Sequence, residues 1–258
     1  MTLSAAEIQA LLMNYFGPFC RITGLLLVAP IFSAAFIPIR VRLGLAVALT
    51  VVIAPMLPSS QPSYSDSVWV LMIVQQLMLG VAMGFVVQLV FNAIVIGGQA
   101  IAMSMGLGFA FSIDQQNGVS VPVLSQFYLM IGTLLFLALN GHLILIRVLA
   151  ESFQVLPVTA MALTKEGLWL IVTFGARMFS GAVQIALPAL AAILIVNLAF
   201  GITSRAAPTL NLFAVGFPVS MLLGFLVLMW SIPNLQPVLM TLTNDSFELI
   251  WALLIGER

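Results

Sequence analysis

The sequence predicts an all-α, polytopic membrane protein, and two observations carry this prediction: its composition and the length of its apolar runs. Hydrophobic residues make up 62% of the 258 positions, and charged residues make up only 6%. Soluble domains carry about 25% charged residues, so this chain lacks the polar side chains that would cover a surface in water. Several apolar runs exceed the ~18 residues that indicate a membrane-spanning helix. A soluble globular enzyme is therefore excluded.

Six hydrophobic blocks follow one another along the chain: 8–37, 43–58, 68–105, 123–149, 168–200 and 210–235. Ser4 and Glu7 have the spacing of a capping box, which predicts a helix that starts there and runs to about Phe36. Pro18 and Pro30 are expected to bend that helix.

The block lengths are uneven for simple crossings, because a spanning helix needs about 20 residues. Block 43–58 is too short to cross comfortably. Block 68–105 must either break, at Gly97-Gly98, or extend beyond the bilayer, and block 168–200 carries Pro188 as a candidate hinge. The spread of basic residues fixes no orientation.

We predict one integral membrane domain, 1–258, with a short amphipathic tail at about 238–258. In the tail, apolar residues fall on one side of a short helix: Phe247, Ile250, Trp251 and Leu254. This helix either packs on its own domain or at the membrane interface, or it docks on a partner.

Charge and cysteine content exclude further classes of protein. Eight basic residues balance eight acidic ones without clustering, which gives no basic patch for nucleic acid. One cysteine, Cys20, and one histidine, His142, cannot form an intrachain disulfide or supply a zinc site. No P-loop or common hydrolase motif occurs. We expect no metal, no cofactor and no catalytic centre. The acidic residues all lie in connections or near segment ends, which argues against a proton-coupled carrier.

Polar residues inside the apolar blocks form three stripes at helical spacing. The first contains Arg21 with Asn14, Gly17 and Gly24, the second contains Gln88, Asn92 and Gln99, and the third contains Arg177, Gly181 and Gln184. Because a guanidinium facing lipid is costly, Arg21 should face protein or water. Gly80-xxx-Gly84 permits close helix approach. The stripes either hold helices together within one bundle or form subunit seams or a pore lining.

The connection 106–122 combines a flexible backbone with bulky apolar side chains. Gly106 and Gly108 discourage a regular helix, and Asn117-Gly118 is a turn signal. Apolar side chains nevertheless alternate with small residues: Leu107, Phe109, Phe111 and Ile113, followed by Asp114. From the residues alone, the connection is either a short buried segment or a mobile plug that fills an opening.

A series of short motifs runs in order through nearly the whole chain. Its members are Arg21 with Ala29-Pro30, Pro38-x-Arg40-Val41-x-Leu43-Gly44-Leu45, Gly106-Leu107-x-Phe109-Ala110 with Asp114, Leu139-Asn140-Gly141-His142-Leu143, Asn197-Leu198-Ala199-x-Gly201, Arg205-x-Ala207-Pro208 and Gly216-Phe217-Pro218. The series resembles the FliR family of flagellar type III export gate subunits, which is akin to the SctT subunits of virulence systems. Gln115 departs from the family pattern, in which proline often follows the loop aspartate.

The resemblance implies a non-enzymatic subunit in the bacterial inner membrane, within the flagellar basal body. Such subunits assemble with FliP-like and FliQ-like chains in a hetero-oligomeric spiral of helical hairpins around a pore for unfolded proteins. An FlhB-like subunit associates with this assembly. Loop 106–122 would be a hydrophobic plug, because apolar constrictions can dewet and block ions. The alternatives are an SctT-like virulence subunit and, as a different class, a small-molecule membrane transporter.

Overall fold

The computed structural model describes residues 5–57, 66–107, 111–113, 120–158, 164–206 and 212–256. Within these ranges, the elements are the helices α1 (Ala5–Val28), α2 (Ile39–Ile53) and α3 (Asp66–Ser104), the strands β1 (Phe111–Ile113) and β2 (Ser120–Pro122), and the helices α4 (Val123–Ala138), α5 (Gly141–Val155), α6 (Lys165–Ala206) and α7 (Leu212–Ile255). One turn of 3-10 helix, Ala54–Met56, extends α2. The predicted all-α membrane fold is confirmed, with a minimal two-stranded ladder added to it.

Four helical segments of the described chain are long and apolar enough to cross a membrane: Ile39–Met56, Val70–Ser104, Lys165–Ala206 and Pro218–Ile255. The count rises to five if α4 and α5 together form one broken span. The most apolar stretch of α3 is 67% buried, whereas those of α2, α6 and α7 are each only 22% buried. These three helices therefore turn most of their apolar surface away from the rest of the chain.

The chain divides into two compact units. Unit 1 comprises Met1–Leu89, Asn140–Gly175 and Asn244–Arg258, and unit 2 comprises Val90–Leu139 and Ala176–Thr243. Buried aliphatic side chains of α1 and α3 form much of the core of unit 1. In unit 2, Phe91 and Phe136 pack edge to face with ring centroids 5.3 Å apart. The prediction of a single membrane domain stays a prediction.

Helix α1 does not continue to Phe36 with a bend at Pro30. It ends at Val28, two residues before that proline, because proline disfavours helical geometry in the residue before it. Ile31 then has a φ of 73°, a rare conformation for a β-branched residue. Arg42 Nη2 stabilises this turn, since it donates to Ser33 O at 2.9 Å and to Ala34 O at 2.6 Å.

Of the two alternatives for the long blocks, a break or an extension beyond the bilayer, the structure shows continuous helices. Helix α3 has 39 residues and passes through Gly97-Gly98, and α6 has 42 residues and passes through Pro188. At 1.5 Å per residue they are about 58 Å and 63 Å long, against ~30 Å of hydrocarbon. Both glycines instead permit close packing, since a Cβ on Gly97 would lie 3.0 Å from Ala182 O and one on Gly98 would lie 2.9 Å from Ser125 Cα.

The residues predicted to form a tail are the last part of α7, which runs through Pro218, Pro233 and Pro237. The apolar stripe packs on the chain itself, because Phe247, Ile250 and Leu254 are buried. Their segment, from Asn244 onward, belongs to unit 1, whereas the preceding part of α7 belongs to unit 2. Of the two alternatives for this segment, the structure favours packing on its own domain.

Candidate functional site

Arg21 lies at the centre of a buried polar cluster in unit 1. Its side chain is 0% exposed, and each of its three guanidinium nitrogens donates one hydrogen bond. Nε donates to Gln76 Oε1 on α3 at 2.7 Å, and Nη1 donates to Ser152 Oγ on α5 at 2.9 Å. Nη2 donates to Leu156 O at 2.8 Å. One side chain therefore joins α1, α3 and the end of α5.

The end of α5 is a favourable place for this cation. Leu156 is the C-terminal cap of α5, where unsatisfied carbonyl groups and the helix dipole attract positive charge. The guanidinium carbon also lies 4.2 Å from the centroid of the Phe153 ring, which adds a cation–π attraction. Gln76 continues the network, because its Nε2 donates to Val158 O at 3.1 Å. We name Arg21, Gln76, Ser152 and Phe153 the Arg21 cluster.

Glycines on both helices bring α1 and α3 close enough to form this cluster. A Cβ on Gly80 would overlap the carbonyl oxygen of Arg21, and one on Gly24 would overlap the carbonyl oxygen of Leu77. A Cβ on Gly84 would lie 2.9 Å from Ala29 N. The close approach predicted from Gly80-xxx-Gly84 is confirmed, and its partner is α1.

The residues predicted as a seam or pore lining differ in exposure. Gln99, Arg177 and Gln184 are exposed, and Gln88 and Asn92 are half-buried. Arg21 is fully buried among this chain's own residues and so differs from the rest of the set. On α6, Gln184 Nε2 donates to Ser180 Oγ at 3.3 Å, which places both side chains on one side of the helix. Three predicted residues therefore face outward, where another chain or water could reach them.

The connection 106–122 begins with a well-formed helix end. Gly106 has a φ of 75°, its N–H donates to Met103 O at 3.1 Å, and the N–H of Leu107 donates to Ala102 O at 2.9 Å. These two bonds define a Schellman motif, in which glycine is preferred because other residues are strained at positive φ. Gly106 thus ends α3 as well as freeing the backbone beyond it.

A short antiparallel hairpin follows, in which Phe111 pairs with Pro122, Ser112 with Val121 and Ile113 with Ser120. Bulky and small residues alternate in 107–113 with the period of a strand, although no strand was predicted there. Gly108, Phe109 and Asp114 lie outside the described residues. The predicted plug is therefore represented by its two ends and by the backbone of the hairpin.

An apolar cavity of about 360 Å³ lies where this connection starts and ends. Residues of the connection, α4 and α7 line it: Leu107, Val123, Leu124, Phe127, Phe225, Leu228, Met229 and Ile232. Beside it, Met105 is buried against Gly224, where an added Cβ would lie 2.6 Å from the methionine Cε. Tyr128 Oη and Ser231 Oγ lie 3.0 Å apart and join α4 to α7. Ser231 Oγ also lies 3.0 Å from Leu228 O, within hydrogen-bond distance.

The described residues contain no group of three or more His, Cys, Asp or Glu side chains that could hold a metal ion. Cys20 is buried, and its thiol is free.

Gln76, Ser152 and Phe153 were not predicted from the sequence as site residues. Gln76 was a detectable signal, because it is an amide inside an apolar block. Its partners could not be inferred, since Arg21 is 55 residues from Gln76 and 131 residues from Ser152 in the chain.

The fold defines a polytopic α-helical membrane protein, with exposed helix faces and an apolar cavity at the base of its 106–122 connection. The chain belongs to the family described as bacterial export proteins, family 1, which matches residues 12–246. It is 35% identical over 252 residues to the flagellar biosynthetic protein FliR of Pectobacterium carotovorum subsp. carotovorum, covering 97% of this chain and 96% of that relative.

Two further relatives carry the same name. The flagellar biosynthetic protein FliR of Escherichia coli (strain K12) is 36% identical over 238 residues, covering 92% of this chain and 90% of the relative. That of Aquifex aeolicus (strain VF5) is 30% identical over 239 residues, covering 92% and 91%. The resemblance to the FliR family is therefore confirmed, and with it a role in flagellar biosynthesis and protein export.

Proposed function

We propose that this chain is a non-enzymatic subunit of the bacterial flagellar type III export gate. In this proposal, it forms with FliP-like and FliQ-like chains a spiral around a pore for unfolded proteins. It acts in the inner membrane within the flagellar basal body, next to an FlhB-like subunit. The observation that carries the proposal is the outward apolar surface of α2, α6 and α7, whose most apolar stretches are only 22% buried. Helices α6 and α7 are about 63 Å and 66 Å long at 1.5 Å per residue, which exceeds the ~30 Å hydrocarbon layer. The parts outside this layer therefore need protein contacts.

The assembly is tested by co-expressing the chain with its neighbouring genes and measuring the mass of the detergent-solubilised complex. We expect a hetero-oligomer that contains this chain and several small helical partners. A small-molecule transporter would instead purify alone or as a homodimer and would bind or move a solute by itself. That result would contradict the proposal.

Loop 106–122 is the plug of the proposed pore, and the apolar cavity at its base supports this role. The cavity lies where the loop leaves α3 and enters α4, so apolar contacts can hold the loop across an opening. A ring of apolar side chains resists ions because water leaves a narrow apolar constriction. Exposed Gln99, Arg177 and Gln184 are the proposed seam or pore lining, together with half-buried Gln88 and Asn92.

Replacing Leu107 and Ile113 together with serine is expected to raise ion leakage through the assembled complex severalfold. Hydroxyl groups would keep water in the constriction, and ions would follow. The measurement is conductance of the purified complex in a planar bilayer. The matched control, Leu107→Met with Ile113→Val, keeps the apolar character and should conduct like the wild type. Unchanged conductance in the serine variant would remove the plug from the proposal.

A further inference from the structure

The apolar cavity at the base of the connection 106–122 offers a ligand almost no polar group. Its described lining residues all belong to unit 2, and the wall that they form is almost entirely apolar. Tyr128 and Ser231 lie between lining positions in the sequence, but their hydroxyl oxygens are 3.0 Å apart and bond to each other. Neither of these two residues lines the cavity. The described wall therefore suits a ligand that needs no hydrogen bonds.

The size of the cavity restricts the ligand further. Its volume is about 360 Å³, whereas an apolar cavity of about 150 Å³ in another protein stays dry and binds benzene. By that comparison, the cavity holds roughly 14 carbon atoms, the number in one myristoyl chain. A single phenyl ring would fill less than half of it. The volume therefore fits a hydrocarbon chain better than one protein side chain.

A segment of polypeptide does not suit this cavity either. Each residue brings a backbone C=O and, except for proline, an N–H, and burying these groups without partners costs free energy. The described wall supplies almost no partner for them. A hydrocarbon chain carries no such groups, so it can occupy the whole volume and remove the apolar wall from water.

The cavity opens on an outward apolar surface of α7. Phe225 and Met229 line the cavity and are also exposed, Met229 by 69%. Leu222 and Leu226, which are exposed as well, continue this apolar surface along the helix. The surface belongs to the segment Pro218–Ile255, which is long and apolar enough to cross a membrane. A lipid tail lying along α7 can therefore enter the cavity without crossing a polar surface.

Trp230 indicates where lipid headgroups lie along this helix. Its side chain is 89% exposed, the largest exposed fraction among the bulky apolar side chains that the structure describes. Tryptophan is enriched at membrane–water interfaces, because its ring is apolar and its N–H is a hydrogen-bond donor. Trp230 directly follows Met229, so a headgroup can stay beside the indole while its tail enters next to the methionine.

We propose that this cavity binds one acyl tail of a membrane phospholipid, whose headgroup lies beside Trp230. The bound tail contacts Leu107 at the start of the connection 106–122, Val123 at its end and Ile232 on α7, so it packs both ends of the connection against this helix. Lining residues 225–232 cover about 12 Å of α7, a helix about 66 Å long, which leaves the rest for protein partners. The inference goes beyond the proposed function, because it concerns a lipid and does not depend on a plug.

The test uses a phospholipid that carries a diazirine in its acyl tail, added to vesicles of phosphatidylethanolamine and phosphatidylglycerol. The vesicles contain the complex co-expressed from the neighbouring genes, or the full chain alone if no hetero-oligomer forms. Mass spectrometry then locates the adducts. We expect them on Leu124 and Leu228, which line the cavity but are otherwise buried and closed to surrounding lipid. Adducts confined to the exposed surface, for example to Leu226, would overturn the proposal.

Leu228→Phe is expected to narrow the cavity, because a larger side chain at this buried position extends into the empty space. Each methylene kept out weakens binding about fourfold, so excluding about two of them should lower the adducts on Leu124 at least about tenfold. Leu226→Phe makes the same change outside the lining and should be labelled like the wild type. An equal loss in both variants, or no loss in Leu228→Phe, would contradict the assignment.

Val123→Phe narrows the cavity from α4 and decides the matter if Leu228→Phe does not fold, because Val123 is exposed and tolerates a larger side chain more easily. It too should lower the adducts on Leu124. A free fatty acid with the same diazirine distinguishes the source of the tail. Labelling by the free acid but not by the phospholipid would overturn the membrane as its source.

This proposal and the proposed function fail in different ways. If the wild-type chain forms no hetero-oligomer, the proposed function falls, and the lipid site is still tested on the chain alone. If the complex forms and Leu124 receives no lipid adduct, only the inference about the cavity falls.

Discussion

Replacing Gly80 with alanine is expected to push α1 and α3 apart. The free energy of unfolding should fall by at least about 3 kcal/mol, which is the upper end of the usual cost of overpacking a protein core. At a helix position with free space around it, the change from glycine to alanine instead stabilises the fold by about 0.5–1 kcal/mol. Here the new methyl group would overlap the carbonyl oxygen of Arg21 and lie 2.9 Å from Leu25 N. Both obstacles are backbone, which cannot rotate aside as a side chain can.

Gly44→Ala on α2 is the matched control, because nothing lies within 4 Å of a Cβ at that position. Its thermal unfolding midpoint in detergent should equal or exceed that of the wild type. The midpoint of Gly80→Ala should be far lower, with reduced folded yield. Equal midpoints for the two variants would show that α1 and α3 do not cross at Gly80.

Replacing Arg21 with methionine is expected to cost about 3–5 kcal/mol of unfolding free energy, since each buried acceptor left without a donor costs about 1–3 kcal/mol. Three acceptors lose their donor: Gln76 Oε1, Ser152 Oγ and Leu156 O. Methionine carries no charge, so the variant avoids the desolvation cost of burying the guanidinium, and this offsets part of the lost stability. The unsatisfied acceptors outweigh it, because the end of α5 also loses its cation. The measurement is again the unfolding midpoint in detergent.

Arg21→Lys separates charge from geometry. Lysine keeps the cation at the end of α5, but its single ammonium cannot reach three acceptors in the fork of a guanidinium, so we expect an intermediate loss. Adding Ser152→Ala to Arg21→Met removes one unsatisfied acceptor, Ser152 Oγ, and should recover part of the stability. An Arg21→Met variant as stable as the wild type would mean that the Arg21 cluster does not hold these three elements together.

The sequence predicted the class of fold well, because composition and the length of apolar runs determine where a chain can be buried. It left open whether the long helices break at Gly97-Gly98 and bend at Pro188, because local helix propensity alone cannot decide this; both helices continue through these residues. Neighbouring helices override that propensity at the glycines, since Gly97 packs against α6 and Gly98 packs against α4. A glycine that permits close packing and a glycine that breaks a helix look alike in sequence.

The candidate sites were only partly predictable for a related reason. Periodicity grouped Arg177 and Gln184 on one face of a helix, and both residues are exposed on α6. It could not show that Arg21 faces inward, because that depends on contacts with residues more than 50 positions away. The Schellman motif at Gly106 was hidden in the same way, since glycine permits many conformations and the backbone bonds select one.

The partners of Arg21 have a consequence for how this membrane protein responds to pH. A side-chain amide, a hydroxyl group and a main-chain carbonyl neither gain nor lose a proton under physiological conditions. If an aspartate or glutamate were the partner of this arginine, low pH would protonate the carboxylate and weaken its attraction to the guanidinium. We therefore expect the contacts of Arg21 that join α1, α3 and α5 to be equally stable across the physiological range of pH.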